Sequence, residues 1–115
     1  FKIDNPNLPA RVRQLSAPEL KAKLDQKMPL RLYDVRGAQE RAIAQIAGSV
    51  PFDAQAAAEL EGLPKDTTLV FVCHHGMRSQ AAAEQIISRG FRNVYNLRGG
   101  IDAWSSEVDP RIPRY

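Results

Sequence analysis

Thr68 to Cys73 reads Thr-Leu-Val-Phe-Val-Cys, a run in which β-branched and aromatic side chains follow one another with almost no polar break. A strand with one wet face alternates apolar with polar residues, whereas a strand without that alternation needs cover on both faces. The chain is therefore expected to build a sheet with a layer of helices on each side.

The flanking segments supply those layers. Ser16 stands three residues before Glu19, the spacing of a capping box, and Leu20 and Leu24 follow at helical spacing. Leu30 to Val35, bounded by Pro29 and Gly37, reads as a buried strand. Ala42, Ile43 and Ile46 suggest a short helix before Gly48, and "SVPF" a second strand that Pro51 assigns to an edge or an end. Asp53 can cap the alanine-rich helix that Gly62 and Pro64 stop. After the central strand, "SQAAAEQIISRG" is a helix with Ala82, Ile86 and Ile87 inward, "NVYNL" a last strand and "GGIDAWSSEV" a last helix. Strands alternating with helices in this way predict an α/β fold around a parallel sheet. Phe1 to Arg13, with Pro6 and Pro9, is expected as an extended arm, and residues 108–115 as an extended tail over the surface.

At 115 residues the chain has the length of one domain, and with 43% hydrophobic and 25% charged residues its composition is that of a soluble globular protein. The net charge of +3 comes from scattered bases without interleaved aromatics, which argues against nucleic acid and suits a site for small anions. No apolar run is long enough for a bilayer span, and the first residues lack the apolar core of a secretory signal, so no membrane role is expected. Because the chain starts at Phe1 rather than Met, it reads as a piece of something longer, with room for a fused domain outside it. One unpaired cysteine is the pattern of a reducing compartment, and the expected localisation is cytoplasmic.

That cysteine is a buried packing residue, a metal ligand or a nucleophile. On residue type alone, packing leads. Its place at the carboxyl end of the best strand, where parallel sheets collect ligands, reverses the order. The segment from His74 to Arg78 is then a tight loop into a helix beginning near Ser79. The backbone amides of such a loop can converge on one anion, and the Cys73 sulfur is the anion best placed, with its pKa lowered. Gly76 permits a positive φ, Met77 forms a wall, and His74, His75 and Arg78 add donors at the mouth. Each histidine can equally face solvent, and Arg78 can bridge to a buried acid such as Asp34. Metal binding is a poor reading, because adjacent histidines point apart and no further Cys or His exists to complete a site. No metal and no cofactor are expected.

"CHHGMRS", the earlier "LYDVR" and the later "NLRGGIDAW" together resemble the rhodanese-like domain family, over Val12 to Trp104 and in the expected order. The resemblance implies a three-layer α/β fold with a central parallel sheet of about five strands and helices on both faces. It also implies a sulfurtransferase in which Cys73 attacks the outer sulfur of a donor such as thiosulfate, holds it as a persulfide and yields it to cyanide or a thiol. On this resemblance Cys73 is catalytic, and His74, His75, Gly76, Met77, Arg78 and Ser79 form the active-site loop that binds substrate. Asp34, Arg36 and Glu40 match residues that brace the loop, while Gly99, Gly100 and Trp104 match an architectural motif. Ala44, Gln45 and Ala47 depart from the family's Gly, His and Pro, which touches local packing and partner choice more than chemistry.

Related phosphatases and arsenate reductases place five residues between cysteine and arginine. Here His74 to Met77 make four, and that shorter loop resembles the sulfurtransferase class, sized for one sulfur atom. The expected partners are a small sulfur donor and a thiol acceptor such as glutathione or thioredoxin. The competing readings are a non-catalytic module that binds a partner protein and, behind it, a phosphatase or arsenate reductase.

Overall fold

The computed structural model describes residues 10–115, so most of the extended arm expected for Phe1 to Arg13 lies outside the described residues. The elements alternate along the chain: β1 (Arg13–Leu15), α1 (Ala17–Asp25), β2 (Arg31–Asp34), α2 (Ala38–Ile43), β3 (Val50–Pro51), α3 (Ala54–Leu60), β4 (Thr68–Val72), α4 (Met77–Ile87), β5 (Asn93–Leu97) and α5 (Gly100–Glu107). All strand pairs are parallel, in the order β1-β5-β4-β2-β3. The apolar run at Thr68–Val72 is thus the central strand, and Leu69, Val70 and Phe71 have no exposed surface at all.

Each face of the sheet has its own core. Leu20 of α1 and Ile101 and Trp104 of α5 pack with Leu32, Val70 and Val72 on one side. Ala56 and Leu60 of α3 and Ala83 and Ile86 of α4 pack with Tyr33, Leu69 and Phe71 on the other. Helices on both faces of a parallel sheet give three layers and place every strand's carboxyl end on one rim.

The caps read from sequence are present. The Ser16 hydroxyl accepts from the Glu19 amide while the Glu19 carboxylate accepts from the Ser16 amide. The Asp53 carboxylate accepts from the Ala56 amide at 2.9 Å.

Three segments differ from the sequence reading. β1 begins at Arg13, where an arm was expected; its polar Arg-Gln-Leu sequence carries no strand signal and is held by pairing with β5. The helix read through Ala42, Ile43 and Ile46 stops at Ile43, leaving Ala42 and Ile43 exposed. Beyond it the chain is extended at Ala44, so that Ala44 and Ile46 alternate into the core with the period of a strand. The helix after Cys73 starts at Met77, two residues before the expected Ser79.

Candidate active site

Cys73 follows the last residue of β4 and is buried, 1% exposed. The chain turns at Gly76, with φ at +103°, and enters α4. A side chain at Gly76 would meet the Gly99 nitrogen and the Leu97 carbonyl oxygen at 3.2 and 3.3 Å, so the position excludes a Cβ for two reasons. The Gly76 amide points at the sulfur from 3.1 Å and the Ser79 amide from 3.4 Å, with the Ser79 Oγ at 3.3 Å. Burial pushes the Cys73 thiol up, but the Ser79 hydroxyl and the amides of Ser79, Gly76 and His75 outweigh it and leave the thiol below its ordinary range.

The outer side of the loop is bound to α5. The Ile101 amide donates to the Cys73 carbonyl at 2.8 Å and the Asp102 amide to the His74 carbonyl at 3.1 Å. The loop's carbonyls are thereby turned outward onto the unpaired donors of a helix start, which leaves its amides facing the sulfur. Gly100 makes this approach possible, since a Cβ there would stand 2.4 Å from both carbonyl oxygens.

The residues expected to brace the loop form two ion-paired groups, joined through the Tyr115 hydroxyl. Asp34, 1% exposed, accepts from the Arg36 backbone amide and takes Arg36 Nε at 3.0 Å and Nη2 at 2.7 Å, while Arg41 adds a third guanidinium contact at 2.8 Å. Glu40 instead reaches the loop, taking both Nη atoms of Arg78 at 2.7 and 2.9 Å. The Arg78 fork lowers the Glu40 pKa to about 2, with the Tyr115 hydroxyl assisting. Arg78 therefore does not bridge to Asp34, as the sequence reading allowed, because Arg36 and Arg41 already saturate that carboxylate.

His74 and His75 do not point apart. Their rings stack at 3.9 Å, and Tyr115 stacks on His74 at 3.8 Å with the planes 8° apart. The Tyr115 hydroxyl accepts from Arg36 at 2.7 Å and donates to Glu40 at 2.8 Å, while Arg114 makes a two-pronged pair with Asp102. Sequence reasoning gave the tail no such role, because the signal lies in contacts 75 and 79 residues distant. Met77 is 81% exposed and, with His75, Gln80 and Arg98, lines an open cavity of about 430 Å³ beside the loop.

His74, His75 and Asp102 bring possible metal-donor atoms within 4.8 Å of one another. Both Asp102 oxygens, however, are taken by Arg114, and the ring nitrogens' lone pairs lie in the planes of two stacked rings. They run side by side instead of converging on one ion, so the cluster suits a stacked wall better than a metal.

The Rhodanese-like domain family model matches residues 16–107. The chain belongs to the rhodanese-like domain family. It is 37% identical over 94 residues to the thiosulfate sulfurtransferase GlpE of Pseudomonas aeruginosa strain LESB58, covering 81% of this chain and 84% of that protein. It is 35% identical over 101 residues to the putative sulfurtransferase YtwF of Bacillus subtilis, covering 87% and 97%. A rhodanese-like domain protein from Staphylococcus aureus superposes with a TM-score of 0.70 at 27% identity, covering 90% of this chain and 99% of that one. This rhodanese-like chain thus carries its single cysteine in a loop of inward-facing amides at the rim of the family's sheet.

Proposed function

We propose that the chain is a sulfurtransferase that moves a sulfane sulfur from thiosulfate or a related donor to cyanide or a thiol through a persulfide on Cys73. The observation that carries this reading is the convergence of the Gly76 and Ser79 amides on one buried sulfur, with the Ser79 Oγ beside it. In the first half-reaction the Cys73 thiolate attacks the outer sulfur of thiosulfate. The bond between the donor's two sulfurs breaks, and sulfite leaves with its electron pair. In the second, cyanide or a thiolate attacks the terminal sulfur, and the Cys73 thiolate leaves.

The loop residues serve this chemistry in different ways. The amides of His75, Gly76 and Ser79 hold the negative charge of the sulfur in both forms. Gly76 supplies the turn, and Arg78, tied to Glu40, fixes the start of α4. His74 keeps a buried Nε2 with no partner among the described residues, and His75 and Met77 form the rim. Asp34 and Arg36 hold the end of β2 beside the loop. The acceptor is read as a thiol such as glutathione or thioredoxin, in a reducing, cytoplasmic setting; no helix among the described residues is long and apolar enough to cross a membrane. Residues 1–115 are read as one rhodanese-like domain, working alone or joined to another sulfur-handling domain.

Steady-state kinetics with thiosulfate and cyanide test the proposal. A covalent intermediate formed after sulfite has left gives ping-pong behaviour, so double-reciprocal plots at several cyanide concentrations are expected to be parallel. Intersecting lines, or no thiocyanate from thiosulfate or a persulfide donor, would contradict it.

A further inference from the structure

Behind the sulfur, one proton has two claimants. Asn96 on β5 is 3% exposed, and its Nδ2 donates to the Gly76 carbonyl at 3.1 Å and to Gln14 Oε1 at 2.9 Å. A carbonyl only accepts, so the amide group is oriented with Oδ1 towards Ser79 Oγ, 2.5 Å away. Oδ1 cannot donate, and the single Ser79 hydroxyl proton must therefore lie between these two oxygens. What Ser79 then presents to the sulfur, at 3.3 Å, is a lone pair. A thiol S–H can donate to that lone pair. A thiolate cannot.

We propose that Asn96 is a positioning residue that competes with the Cys73 sulfur for the Ser79 hydroxyl, so that the sulfur gains this donor only when the hydroxyl turns away from Asn96. The inference rests on the reading of Cys73 as sulfur carrier and concerns how the carrier passes from resting thiol to nucleophile. In the resting form the chain runs from S–H to Ser79 Oγ and from Ser79 O–H to Asn96 Oδ1. On ionisation the S–H bond breaks, the proton leaves to solvent and the electron pair stays on sulfur. The hydroxyl then rotates towards it. Asn96 Oδ1 has no other donor among the described residues, so it is left buried and unpaired, and this cost opposes ionisation. The backbone amides of Gly76 and Ser79 favour it. Asn96 thus acts as a brake on an ionisation that the loop's amides favour.

The titratable and charged groups around the loop are His74 and His75, Arg78 with Glu40, Asp34 with Arg36 and Arg41, Asp102 with Arg114, and Tyr115. None of them hydrogen-bonds to Asn96 or to Ser79 Oγ, so changing Asn96 leaves their field at the sulfur in place.

The test is the rate of alkylation by iodoacetamide against pH, which in a chain with one cysteine reports on Cys73 alone. Asn96→Leu, with its fold checked by circular dichroism, is expected to lower the midpoint by about one pH unit, or about tenfold more thiolate at a given pH below it. In a Ser79→Ala background the same change should leave the midpoint where Ser79→Ala puts it. An unmoved midpoint in the first case, or an equal shift in both backgrounds, would overturn the proposal. Should Asn96→Leu fail to fold, the unsubstituted chain decides: the Asn96 side-chain carbonyl ¹³C resonance is expected to titrate with the thiol, and to stop doing so in Ser79→Ala. A resonance that stays flat through the thiol midpoint would overturn it equally. Alkylation needs no sulfur donor, so failure of sulfur transfer would count against the proposed function and leave this outcome separate.

Discussion

Gly100→Ala is expected to lower kcat/KM for thiosulfate by about a hundredfold or more, because a displacement of about 1 Å at a reacting group costs that much. The new Cβ would stand 2.4 Å from the carbonyl oxygens of Cys73 and His74, both backbone atoms, so the clash has no flexible side chain to absorb it. Relief requires α5 and the loop to separate. That breaks the hydrogen bonds from Ile101 and Asp102 and frees the loop's carbonyls to rotate, taking the amides away from the sulfur. Overpacking of this kind also destabilises the fold by about 1–3 kcal/mol. Gly37→Ala is the matching control: nothing lies within 4 Å of its added Cβ, and both activity and melting temperature should stay near the parent values. Full activity in Gly100→Ala would show that α5 does not set the loop.

The largest loss of stability is expected at Asp34. Asp34→Asn preserves the side chain's size and removes its charge, leaving the Arg36 guanidinium, whose side chain has no exposed surface, without its counter-ion. Arg41 loses a partner at the same time. Breaking one side of a buried pair costs about 3–5 kcal/mol, which in a domain of this size lowers the melting temperature by roughly 10–20 °C. The double change Asp34→Leu with Arg36→Met should recover much of the loss, since it removes both buried charges together. A single variant that melts within about 2 °C of the parent, on the same scale, would mean that the pair carries no structural weight.

The parts of the fold that could be read from the sequence are those in which the signal is local. The central strand announces itself by lacking alternation, and the capping box at Ser16 and the cap at Asp53 are fixed by spacings within one helical turn. The position of Cys73 was legible because a parallel sheet puts strand ends and helix starts at one rim. What could not be read depends on distant partners. β1 has three residues, two of them polar, and exists because β5 offers an open edge. Ile46 matches a helical face by spacing, yet reaches the core from beyond a helix that ends at Ile43.

The site follows the same division. Arg78 was assigned a possible acid by proximity to a strand end, but the choice between Asp34 and Glu40 was made by Arg36 and Arg41 occupying the former. Asn96 looked like one residue of a strand, and Tyr115 like the end of a tail. One lies behind the nucleophile and the other over the histidine next to it, through contacts 17 or more residues apart in sequence.

The central claim is that Cys73 carries sulfur, and the intact mass of the protein tests it most directly, measured before thiosulfate, after it, and again after cyanide, beside a Cys73→Ser control. The predicted result is a gain of one sulfur atom that cyanide removes as thiocyanate and that the control never shows. A chain that stays at its original mass with thiosulfate and with persulfide donors, its thiol reduced and open to alkylation, would contradict the account.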